Sequence, residues 1–86
     1  METALLDLLK EESELVSRIR KIEYETAFYQ KRAEERKDGP TICDKQAALD
    51  DFRKARQLLE EEVRLLGRLK ENRIKIRNYL KEVLLK

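Results

Sequence analysis

Apolar residues recur along this chain at alternating intervals of three and four. In the first part they fall at Leu5, Leu8, Leu15, Ile19, Ile22, Tyr29 and Ala33, with Glu12 and Thr26 keeping the same rhythm. That spacing turns one stripe of an α-helix toward a partner helix. The rhythm returns at Ala55, Leu58, Glu62, Leu65, Leu69, Asn72, Ile76, Tyr79 and Val83. Between the runs stands one strong break, Asp38-Gly39-Pro40-Thr41. Gly39 is suited to the left-handed conformation that ends a helix, and Pro40 cannot continue one. Thr41 is a plausible N-cap, with Asp44 three residues on where the capping box prefers Glu or Gln.

The pattern predicts an all-α chain: two long helices forming an antiparallel coiled-coil hairpin within one domain spanning 1–86. The first helix is expected over about 2–37, the turn over about 38–42 and the second helix over about 43–85. The second helix carries an additional apolar row, Phe52, Leu59, Leu66 and Leu80, interrupted by Arg73. Leu9 and Val16 widen the first helix in the same way. Two helices alone leave part of this surface wet, so a three- or four-helix bundle completed by association is expected.

Charge selects the direction of pairing. Residues 1–16 hold Glu2, Asp7, Glu11, Glu12 and Glu14 against Lys10 alone. Residues 64–86 hold Arg64, Arg68, Lys70, Arg73, Lys75, Arg77, Lys81 and Lys86 against Glu71 and Glu82. A hairpin bent at Gly39-Pro40 sets these opposite ends side by side, and a short connection permits only antiparallel neighbours. In the expected alignment Leu15 faces Leu66, Ile22 faces Leu59 and Tyr29 faces Phe52. Leu80, Val83, Leu84 and Leu85 would then overhang the start of the first helix, as a docking end or as part of a longer chain.

Composition narrows the chemistry. Charged residues make up 44% of the 86 and net charge is only +2, with one Cys, one Pro and no His. This is the composition of long helices, not of a sandwich or barrel. The single Cys43 closes no internal disulfide, and no Cys/His set exists for zinc. Without His, nucleophile–base chemistry loses its usual base, and Gly39 and Gly67 stand too far apart for a phosphate loop. No enzyme activity and no cofactor is therefore expected. Apolar runs of at most three residues exclude membrane insertion. The opening Met1-Glu2-Thr3 lacks the basic and apolar regions of a signal peptide, so a cytoplasmic or nuclear location is expected.

Polar residues on the stripes admit two readings. Glu12, Glu62, Thr26 and Asn72, with neighbouring Arg73, either snorkel outward from the core edge or control register. In the second case Glu12 sits near Lys70 or Arg73, and Glu62 near Arg18 or Arg20. Tyr24 and Phe28 lie four apart on the face opposite the stripe. They are either ordinary exposed rings or anchors for a partner. The expected function is a non-enzymatic protein–protein interaction or scaffolding module, forming a homo-oligomer or a heterocomplex. Its candidate partner-binding residues are Tyr24, Phe28, Phe52, Leu59, Leu66, Leu80, Val83 and Leu84. The alternative is a nucleic-acid-associated helical protein using the basic part of the second helix, residues 64–86.

Overall fold

The structure, a computed structural model, describes residues 2–84. Two helices account for nearly all of them: α1, Glu2–Lys37, and α2, Ile42–Leu84. They run antiparallel as a rod of 68 × 15 × 12 Å with a radius of gyration of 19.3 Å. A compact chain of this length would have about 12 Å. Each described side chain thus lies close to the surface, and among the described residues the core is one seam between the helices.

That seam is the stripe read from the sequence. Leu15, Ile19 and Ile22 of α1 bury themselves against Leu65 and Leu69 of α2, with Val16 and Leu58 packed alongside. Toward the turn the buried positions become small: Ala33, Ala48 and Ala55. The expected hairpin register sets Leu66, Leu59 and Phe52 across from Leu15, Ile22 and Tyr29. In the structure those three stay exposed, one step around α2 from the seam. The level along the rod is nearly as expected, since Asn72 meets Leu8 and Arg68 meets Glu11. The angular position is what differs, because Leu58, Leu65 and Leu69 already fill the side facing α1.

The turn is tighter than a left-handed glycine would make it. Gly39 does not adopt positive φ. Its N–H donates to the Arg36 carbonyl at 3.0 Å, closing the last turn of α1. A Cβ on Gly39 would collide with the Asp44 side chain, its carboxylate Oδ2 lying 2.7 Å away. Glycine is needed here for close approach, not for backbone freedom. Asp44 in turn completes a reciprocal cap. Its N–H donates to Thr41 Oγ1 at 3.1 Å, and the Thr41 N–H donates back to Asp44 Oδ2 at 3.4 Å. The Thr41 hydroxyl also donates to Asp44 Oδ2 at 2.8 Å. Asp therefore does the work usually given to Glu or Gln, because the glycine leaves room for its shorter side chain.

Two polar stripe residues do not snorkel. Thr26 and Asn72 are buried. Their side chains are too short to reach water from the seam, unlike Glu12 and Glu62, which stay half-buried. Asn72 Nδ2 donates to the Leu8 carbonyl at 2.9 Å and ties the open end of the rod.

Candidate interaction surface

The seam divides the rod into two flanks of opposite character. On one, ion pairs bridge the helices. Arg68 reaches Glu11 at 3.7 Å and Arg18 reaches Glu61 at 3.6 Å. Nearer the turn Arg32 Nε and Nη2 each donate to Asp51 at 3.1 Å, and Arg36 Nη1 adds a contact at 3.4 Å. Asp51 is only 4% exposed, a buried carboxylate that the sequence reading did not single out. Its signal was present: counting back from Ala55 by four and then three lands on Asp51 and Ala48. Lys54 Nζ lies 5.1 Å over the Tyr29 ring on the same side.

The other flank is mainly apolar, although Glu12 and Arg73 pair across it at 3.5 Å. Phe52, Leu59, Leu66 and Leu80 line up along α2, each between 38% and 45% exposed. Leu5, Leu6 and Leu9 of α1 share one groove with Tyr79, Leu80 and Val83. Leu80 and Val83 therefore do not overhang the hairpin, because α1 reaches far enough to meet them. Leu84 is exposed beyond them, and Leu85 and Lys86 lie outside the described residues.

Further round α2 the exposed side chains Leu49, Val63 and Leu84 extend the row. Together they make a second complete alternation of threes and fours: Leu49, Phe52, Arg56, Leu59, Val63, Leu66, Lys70, Arg73, Arg77, Leu80 and Leu84. Reading the sequence only at sevenfold intervals misses the intervening members Leu49 and Val63. One helix thus presents two seams, and α1 occupies only the first.

Glu12 is paired as the register reading expected, with Arg73 Nε at 3.5 Å. Glu62 is not. Arg18 lies on the far flank and takes Glu61 instead. Glu62 faces Glu23, and burial, then the hydrogen bond and charge of Glu23, push its pKa above the usual carboxylate range.

Tyr24 and Phe28 do point outward, 77% and 51% exposed. They lie away from the apolar flank. Phe28 leans edge-on against Tyr29 at a centroid separation of 5.4 Å, and the Arg32 guanidinium sits 5.6 Å from its ring. The structure therefore does not bring Tyr24 and Phe28 together with Phe52, Leu59, Leu66, Leu80, Val83 and Leu84.

Of the basic residues near the open end, Arg68 and Arg73 are engaged by Glu11 and Glu12. Of the others that the structure describes, Lys70 and Arg77 share one face of α2, while Arg64, Lys75 and Lys81 fall at different heptad positions. Among the described residues no group of His, Cys, Asp or Glu is placed to hold a metal ion. No helix among them is long and apolar enough to cross a membrane. No protein-family model matches the chain, and comparisons with curated proteins and with solved structures likewise find no match.

Proposed function

We propose that the chain is a non-enzymatic protein–protein interaction or scaffolding module that works by completing a helical bundle through its apolar flank. The observation carrying this reading is the sidedness of the rod. One flank is closed by interhelical ion pairs, while the other leaves Phe52, Leu59, Leu66 and Leu80 half in water. A half-covered Leu or Phe leaves about 1 kcal/mol of transfer free energy unrealised. A contiguous row of them is what protein–protein surfaces display and isolated domains avoid.

The test compares the wild-type chain with Leu59→Glu/Leu66→Glu, by sedimentation equilibrium at micromolar concentration and by titration with amphipathic helical peptides. The variant is expected to keep its helicity, because neither residue is in the seam. It should lose self-association and peptide binding alike. If the wild-type chain is a stably folded 10.3 kDa monomer that takes up no helix, the reading is overturned.

A further inference from the structure

We infer that the occupant of this flank is an acidic amphipathic helix of another protein, laid along the second seam of α2. The inference rests on the flank being the assembly surface and adds the chemistry of what covers it. The argument is one of charge. The four residues that interrupt the apolar row are Arg56, Lys70, Arg73 and Arg77, all basic, and no acidic residue stands on that row. Arg56 has Glu60 of its own helix at 3.6 Å, and Arg73 has Glu12. Lys70 and Arg77 have no carboxylate within ion-pair distance among the described residues. They rim a groove floored by Leu66, Leu69 and Ile74. A separate depression on α1 sets Arg20 with Leu9, Val16 and Glu12.

An apolar floor with unpaired cations along its rim fits a helix that carries apolar heptads and flanking carboxylates. Of the acids of α1, Glu12 reaches this flank but takes Arg73, leaving Lys70 and Arg77. Asp7, Glu11 and Glu14 line the ion-paired flank, and Glu23 is turned toward Glu62. A second copy of this chain fits worse, since its flank brings the same basic row, and like charges set against each other are a device for rejecting a partner. The row also rules on geometry. Its alternation of threes and fours runs from Leu49 to Leu84, so the occupant is a long helix lying parallel to the rod axis and not a loop crossing it. Its carboxylates should concentrate opposite Lys70–Arg77.

The experiment uses the full chain and two synthetic peptides of equal length. Both carry Leu at their heptad core positions; one carries Glu at every flanking position and the other Lys. Binding is read by fluorescence anisotropy at two salt concentrations. The acidic peptide should bind about tenfold or more tighter than the basic one, and more weakly at high salt. Lys70→Glu/Arg77→Glu should erase or reverse that preference while leaving helicity unchanged, since neither side chain holds the hairpin. Equal binding of the two peptides, or a preference untouched by this double change, overturns the inference. So does a stronger affinity for anionic vesicles or duplex DNA than for the acidic peptide. A wild-type dimer that refuses both peptides and is dissociated by Leu59→Glu/Leu66→Glu makes the occupant a second copy, and leaves the assembly reading standing. A chain that neither dimerises nor binds either peptide removes both.

Discussion

At Asp51 a buried carboxylate is held by two hydrogen bonds from Arg32 and a third from Arg36. Hydrogen bonds to a charged, desolvated acceptor contribute more than neutral ones. The two arginines are 40% and 39% exposed, however, and can turn to water when the acid is gone. Asp51→Ala is therefore expected to cost about 1.5–3 kcal/mol, below the loss for a fully buried pair. Urea unfolding checks this, with the midpoint falling and the slope unchanged. Glu62 behaves in the opposite sense. Its folded pKa is raised, chiefly by burial and then by Glu23, so the fold prefers the protonated acid. The folded hairpin then holds that proton more tightly than the unfolded chain does. Its contribution is best below the ordinary Glu value of about 4.3 and is lost as pH rises through the raised value. Glu62→Gln should raise the thermal midpoint at neutral pH, and the gain over wild type should vanish below about pH 4. A gain that persists in acid would mean Glu62 is not strained by charge.

The end of α1 and the start of α2 owe their bounds to signals that lie close together in the chain, which is why the break between the elements was legible. The Thr41 cap and the Pro40 break set the start of α2 within one residue, and the alternating stripe identified the buried face of both helices. Angular detail was less legible. Whether Leu65 or Leu66 faces α1 depends on a rotation of one residue step, and both are leucine. Asp51 was not legible because one member of an Asp-Asp pair on a charged helix looks solvated until Arg32 and Arg36 are brought across the turn. The second seam of α2 was visible only as a widened face. Within that helix Gly67 sits on the exposed side, and beyond its chain neighbours and its own helical backbone a Cβ there would meet no atom within 4 Å. Gly67→Ala should stabilise the hairpin by about 1 kcal/mol through backbone entropy alone, read as a higher urea midpoint. A loss of stability would mean that α2 bends at that residue.

For the molecule as a whole, the two aromatic residues on the back of α1 test whether the rod has one working side or two. Tyr24 is largely exposed and Phe28, half exposed, leans on Tyr29 and Arg32, so Tyr24→Ala/Phe28→Ala should cost about 1 kcal/mol, not the 3–5 kcal/mol of a core aromatic. Calorimetry measures this directly. If the double variant binds the acidic peptide as wild type does, the two surfaces are independent; a stability loss of core size would place the rings in a seam after all. The lone cysteine has a bearing on the same question. Cys43 is exposed and sits at the turn, at one tip of a rod 68 Å long. A dye attached there is a fixed origin on a ruler, and the sequence offers no second thiol to blur it. A helix lying along the flank with its own dye at one end would transfer excitation efficiently when it points one way and scarcely at all when it points the other. The polarity of the assembly is thus readable from one label on the native sequence, before any atomic picture of the complex exists.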